Sequence, residues 1–196
     1  LNFSTLCFTS DTTHPSISIS NIANNTMTAK TGIDINFTFS DTITLVDSCW
    51  YSNDTYLVNL SLGSGGNCAN ITDITWSDAY HNVTIWVNDS VGNLNSASVS
   101  FTVKSSAPDT NYVSPTENSG VYKSRNYILV NVTAVDTNLD SVLIRLYNSE
   151  HAQVNFSLTG TSPNYVNFSG LSDGIYYYNA TGNDTLNNFI DLLTRN

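Results

Sequence analysis

Three blocks of this sequence recur in the same order at nearly one spacing. Asn36-Phe37-Thr38 returns as Asn131-Val132-Thr133, with Asp41 returning as Asp136. Val58-Asn59-Leu60-Ser61-Leu62 returns as Val154-Asn155-Phe156-Ser157-Leu158, and Val87-Asn88-Asp89-Ser90 as Gly182-Asn183-Asp184-Thr185. The offsets are 95, 96 and 95 residues. That period suits a sandwich module and is too long for one coil of a solenoid. The chain of 196 residues therefore reads as two modules. A third relation has an offset of 93: Leu1-Asn2 matches Leu94-Asn95, Phe8-Thr9 matches Phe101-Thr102, and Pro15 matches Pro108. Residues 1–9 thus read as the last strand of a repeat placed before the first one. The polar stretch Lys104 to Asp109 and its counterpart Ser10 to Pro15 mark linkers, which gives modules at 10–104 and 105–196.

The local pattern is strand. Ser16 to Ser20, Asp34 to Phe39, Asn82 to Val87 and Ser98 to Val103 alternate apolar and polar residues. The second module continues with runs at Tyr127 to Val135, Ser141 to Tyr147, Val154 to Leu158, Tyr165 to Phe168 and Ile175 to Ala180. Gly63-Ser64-Gly65-Gly66, Val91-Gly92-Asn93 and Ser172-Asp173-Gly174 supply turns. No window carries a useful helical stripe, and Ala, Leu, Lys and Glu are scarce. The expected fold is all-β: two tandem immunoglobulin-like antiparallel β-sandwich domains.

Composition narrows the partners. Asn, Ser and Thr number 27, 26 and 24, whereas only 11% of residues are charged. Apolar residues reach 40%, enough for a core and against disorder. Six basic residues on a chain of net charge −10 argue against nucleic acid and anionic membrane. No apolar run reaches the length of a membrane span. The start, Leu1-Asn2-Phe3-Ser4, has no leader pattern and reads as a mature or clipped form.

Asn-x-Ser/Thr occurs at Asn2, Asn24, Asn36, Asn53, Asn59, Asn70, Asn82, Asn88, Asn131, Asn155, Asn167, Asn179 and Asn183. Composition alone gives about seven such sites, so the thirteen present point to an exported chain carrying N-linked glycans. In such a chain Cys49 and Cys68 can close a loop, contributing about 3 kcal/mol on the chain-entropy account. Cys7 is left over, to pair with a neighbouring module or chain or to remain a small buried residue.

Ser48-Cys49-Trp50-Tyr51-Ser52, the later Asn67-Cys68, and the run from Tyr80 to Asn93 resemble the tandem immunoglobulin-like repeats of archaeal cell-surface glycoproteins. Leu171 to Thr181 is similar to the penultimate strand of those repeats. The resemblance covers nearly the whole chain and is one of module type. It implies an extracellular, cell-surface, glycosylated and non-enzymatic role in a surface layer, filament or adhesin. The second module departs from it, with Val142 near the place of Cys49, and the resemblance does not account for Cys7.

The chemistry-bearing residues weigh the same way. His14, His81 and His151 form no zinc pattern, and no nucleophile elbow or phosphate loop is present. No cofactor is expected beyond glycans and calcium. Asp41 with Asp47, and Asp136 with Asp140, bracket matching turns. Oxygen ligands in such turns suit calcium, while local amide capping is the favoured reading of them. Trp50 and Trp86 read as core residues, and Tyr177 must point away from Tyr176 and Tyr178 on a regular strand.

Residues 1–9 admit two readings: the end of a preceding repeat in a longer array, or a strand that pairs with the edge of another subunit. The expected role is a structural subunit of an extracellular glycoprotein assembly that self-associates by β-strand addition. Its partners would be copies of itself, adjacent repeats of one array, and surface glycans. The alternative is an adhesin-like module recognising cell-surface carbohydrate.

Overall fold

The structure is a computed structural model, and it describes residues 8–54, 57 and 59–196. The described residues are all strand, turn and irregular segment, without a helix. The chain divides into two compact units, Leu1–Ser105 and Ser106–Asn196.

In unit 1, β1 (Ser16–Ile19) pairs antiparallel with β3 (Phe37–Ser40), and a bridge from Ile35 to Ile71 widens this small sheet. The facing sheet has five strands in the order β2 (Thr26–Thr28), β7 (Leu94–Val103), β6 (Ala79–Asp89), β4 (Val46–Asn53) and β5 (Leu60–Ser64). All its pairings are antiparallel except β2 with β7, which is parallel. Alternate residues reach the core, as a paired strand requires. On β6 these are Val83, Ile85 and Val87, each fully buried, and on β7 they are Val99, Phe101 and Val103. Ile35, Phe37 and Ile71 face them from the smaller sheet. Gly63 sits at φ +136°, and a Cβ there would meet Asn67 O at 2.3 Å, so the loop entering Cys68 needs glycine.

In unit 2, β8 (Asp109–Tyr112), β9 (Tyr127–Val135) and β12 (Asn164–Ser169) form one sheet in the order β12-β9-β8. The other has the order β11 (Gln153–Thr159), β10 (Leu139–Tyr147), β13 (Tyr177–Asp184) and β14 (Phe189–Asp191). Val130, Val132, Val142, Ile144, Leu146 and Ala180 are fully buried between them. Gly182 lies against Thr110 of the facing sheet: a Cβ would stand 2.1 Å from Thr110 Oγ1.

Cys49 and Cys68 are joined by a disulfide. Unit 2 has fully buried Val142 near the place of Cys49, and its carbonyl accepts a hydrogen bond from buried Asn164 Nδ2 at 2.8 Å. Trp50 and Trp86 depart from the sequence reading. Cys49 and Tyr51 take the inward positions of β4, so Trp50 must face out. It lies opposite Trp86 in the register, and both are half-buried on the outer face. Trp76 is the tryptophan of the core, 3% exposed, donating its indole N–H to Ile33 O at 2.9 Å. The strand read from Ile175 to Ala180 is observed from Tyr177 to Asp184, since its inward alternation runs on through Gly182.

Two outcomes follow. Reducing the disulfide, or Cys49→Ser with Cys68→Ser, should lower the stability of unit 1 by about 3 kcal/mol in denaturant melts. Gly182→Ala should destabilise unit 2 by roughly 1–3 kcal/mol through overpacking against Thr110, read as a lower melting temperature.

Candidate functional site

The residues able to carry function gather in three places: an acidic turn in unit 1, the outer faces of the sheets, and a cleft in unit 2.

The turn between β6 and β7 is built on Asp89, which is 1% exposed. Its Oδ1 accepts the amides of Val91 (3.0 Å) and Asn93 (2.8 Å), and its Oδ2 accepts Asn93 Nδ2 (2.8 Å) and the Thr44 hydroxyl (3.1 Å). Asp184 repeats the arrangement in unit 2, accepting Leu186 N, Asn188 N and Asn188 Nδ2 at 2.8–2.9 Å. In unit 1 two further carboxylates join. Asp11, Asp41 and Asp89 each offer an oxygen within 4.8 Å of the others. The Thr44 hydroxyl stands among them, 2.8 Å from Asp11 Oδ2 and 3.4 Å from Asp41 Oδ1. One hydroxyl has one proton to give, so it cannot satisfy three anions. Asp41 Oδ2 is buried and accepts no hydrogen bond. The donor set is all oxygen, the chemistry a hard cation takes.

Asp47 does not join this group. Its side chain is exposed, and its carbonyl accepts the Gly65 amide at 2.5 Å. In unit 2, Asp136 is half-buried and accepts Asn138 N at 2.8 Å, and Asp140 is exposed. Asp11 and Asp89 were missed as partners of Asp41 because they come from a linker and a distant hairpin. Only their shared reach to Thr44 unites them.

Of the thirteen sequons, Asn2 lies outside the described residues, as does Cys7. None of the other twelve asparagines is buried. Asn24, Asn59, Asn70, Asn155 and Asn167 are exposed, and the remaining seven are half-buried. Asn131 Nδ2 donates to Ser114 O at 2.9 Å, which engages the nitrogen a glycan would need. Asn88 accepts the Ser48 hydroxyl and amide through Oδ1, leaving its side chain held by oxygen.

The outer face of unit 1 carries Trp50 and Trp86 as a stacked pair, with centroids 6.4 Å apart and planes 11° from parallel. In unit 2, Tyr178 is buried and Tyr177 faces outward, where it stacks on His151 at 4.6 Å. His81 is 4% exposed. Its Nδ1 meets Asp54 Oδ2 at 3.1 Å and its Nε2 meets Ser77 O at 2.9 Å. Both ring nitrogens are engaged, so the pair has no nitrogen to offer a substrate. His14 Nδ1 donates to Leu94 O at 2.8 Å.

The cleft in unit 2 has a volume of about 640 Å³, within the range of ligand sites. It lies between the segment 117–128 and the loop 171–176. Tyr122 stands 99% exposed at its rim. Glu117 anchors the floor through Arg125 and through Lys123 Nζ at 3.6 Å, while Arg125 lies over the Tyr127 ring at 4.5 Å. The Tyr178 hydroxyl donates to Glu117 O.

No protein-family model and no curated protein matches the chain. Among solved structures, dimeric latent PorU from Porphyromonas gingivalis is similar at 14% identity and a TM-score of 0.41, covering 96% of this chain and 20% of that one. A tetra-tandem repeat from the extending region of a large adhesion protein is similar at 17% identity and 0.36, covering 91% and 47%. SGBP-B of the Bacteroides ovatus mixed-linkage glucan utilization locus, in complex with a mixed-linkage heptasaccharide, is similar at 13% identity and 0.35, covering 93% and 47%. The chain spans a fifth of the first and about half of the other two. Likeness at this level is one of β-rich build and says nothing of activity.

The Asp89 carboxylate yields a pH dependence. Burial opposes its charge, but the bonds from Asn93, Val91 and Thr44 outweigh burial and hold it below the ordinary 3.8. A lowered acid contributes stability that is fully present above the unfolded-chain value and lost as pH falls through the folded one. In metal-free buffer, unit 1 should keep its melting temperature down to about pH 4 and lose it below. Asp89→Asn should melt lower at pH 7 and show a weaker acid dependence by circular dichroism.

Proposed function

We propose that this chain is a glycan-coated structural subunit of an extracellular, cell-surface assembly that associates with copies of itself or with adjacent repeats by β-strand addition. The observation that carries the reading is the placement of the sequons. Twelve described asparagines in Asn-x-Ser/Thr all reach the surface, and they lie on both sheets of unit 2 and around both sheets of unit 1. Glycans there would solvate faces that carry few charges. The disulfide supports export, since such bonds persist in oxidising compartments. The edge strand β11 supports association. Val154, Phe156 and Leu158 share one face of it and are 50%, 57% and 58% exposed.

Calcium belongs to the same proposal, at Asp11, Asp41 and Asp89, with the buried unpartnered Asp41 Oδ2 in its support. Calcium should raise the melting temperature of unit 1 over that in chelator, and Asp41→Ala should abolish the difference.

The stacked Trp50 and Trp86 favour a second reading, an adhesin-like module that holds cell-surface carbohydrate against the indole faces. Two measurements separate the readings. Electron microscopy of native material, with intact mass before and after deglycosylation, should show ordered polymers of glycosylated chains. Separate unglycosylated particles would overturn the structural reading. If tryptophan fluorescence of those particles then shifts with added saccharide, and Trp50→Ala removes the shift, the second reading stands.

A further inference from the structure

Five of the thirteen sequons share a feature that composition does not supply. Tyr51, Tyr80, Trp86, Tyr165 and Tyr177 stand two positions before Asn53, Asn82, Asn88, Asn167 and Asn179. Aromatic residues make up 11% of the chain, so chance places an aromatic there in about one or two of thirteen sequons. All five asparagines lie on strands. Positions two apart on a strand share one face and stand about 7 Å from each other.

The fold sorts these pairs. Tyr51 belongs to the core at 7% exposure, so it offers a sugar no ring face. Tyr177 is already stacked on His151, and Asn179 accepts the Tyr147 hydroxyl at 3.4 Å. On β6 the inward positions are His81, Val83, Ile85 and Val87, so Tyr80, Asn82, Trp86 and Asn88 share the outer face. Asn88 is oriented there by its Oδ1, which accepts the Ser48 amide and hydroxyl. Trp50 lies across from Trp86 and widens the aromatic surface beside it.

The arrangement is plainest on the edge strand β12. Tyr165, Asn167 and Ser169 are exposed, while Asn164 and Phe168 are buried. The Tyr165 side of this face is open: the residue is 54% exposed. Among the described residues, neither Tyr165 nor Asn167 has a side-chain hydrogen bond or a ring contact. A bare ring thus stands beside an amide nitrogen of the kind that carries a glycan.

Building on the reading of the chain as glycosylated, we propose that the glycan on Asn167 lays its first sugar against the Tyr165 ring, and that the glycan on Asn88 does the same on Trp86. Attachment forms a bond from the asparagine Nδ2 to the anomeric carbon of a phosphate-activated sugar, and one amide proton and the phosphate leave. The sugar this site takes is a pyranose with axial C–H bonds on one face. Those C–H groups meet the electron-rich face of the ring, and both surfaces leave water. The covalent link holds sugar and ring at high effective concentration, so a weak contact suffices. The Trp50 and Trp86 stack is then a seat for the chain's own sugar.

Glycopeptide mapping of native material should find sugar at positions 88 and 167. Asn167→Gln should lower the melting temperature of the glycosylated chain by about 4 °C. The same substitution should leave chain made without glycosylation unchanged. With Tyr165→Ala in place, the loss at Asn167→Gln should vanish, and with Tyr165→Phe it should remain. Asn155→Gln removes a sequon with Gln153 at the equivalent position, and should cost nothing whichever residue stands at 165. Trimming the glycans should shift tryptophan emission, and Asn88→Gln should remove that shift. A loss at Asn167→Gln that is equal with Tyr and Ala at 165, or a bare Asn167 on a chain glycosylated elsewhere, would overturn this proposal and leave the glycan coat standing. Emission unchanged by trimming would overturn it at Trp86. A native chain without sugar at any sequon removes the glycan coat and this proposal with it.

Discussion

A buried carboxylate closes the hairpin that follows the longest strand of unit 1, and the rest of the sandwich depends on it. Asp89 gathers two amides, one side-chain amide and one hydroxyl, and so sets where β6 ends and β7 begins. Register follows from that turn. A slip of one residue would turn Val83, Ile85 and Val87 to solvent and bring Thr84 and Trp86 into the core. Asp184 does the same for β13 and β14. The charge is tolerable inside because hydrogen bonds replace water at nearly every lone pair.

From that shared turn the two units diverge. Unit 1 adds covalent and aromatic closure: the Cys49–Cys68 bond at one point and the Trp76, His81 and Phe101 cluster at another. Unit 2 packs apolar side chains around Val142 and opens a cleft between the segment 117–128 and the loop 171–176.

The surface follows from the same geometry. Every inward residue has outward neighbours on each side, and here those neighbours are mostly Asn, Ser and Thr. Twelve described sequons therefore reach solvent without any of them disturbing the core. The tryptophans show how fine the distinction is. Trp50 is flanked by Cys49 and Tyr51, and a strand admits one set inward. The cysteine must reach Cys68, so Trp50 turns outward and finds Trp86 across the register.

Alternation and the repeat of about 95 residues were legible in the sequence because both are local properties, visible in any window that spans a strand or two. They sufficed for the all-β class and for most strand positions. Which aspartates meet was not legible. Asp11, Asp41 and Asp89 are separated by up to 78 positions, and only sheet packing brings them to one hydroxyl. Nor was the outward turn of Trp50, since alternation defines two faces without saying which is inside. The cleft likewise exists only in three dimensions, as the space between the segment 117–128 and the loop 171–176. By itself the sequence determined what each segment could become. The tertiary structure decided which face of each segment is buried and which distant residues share a place, because those depend on cross-strand partners that no local pattern names.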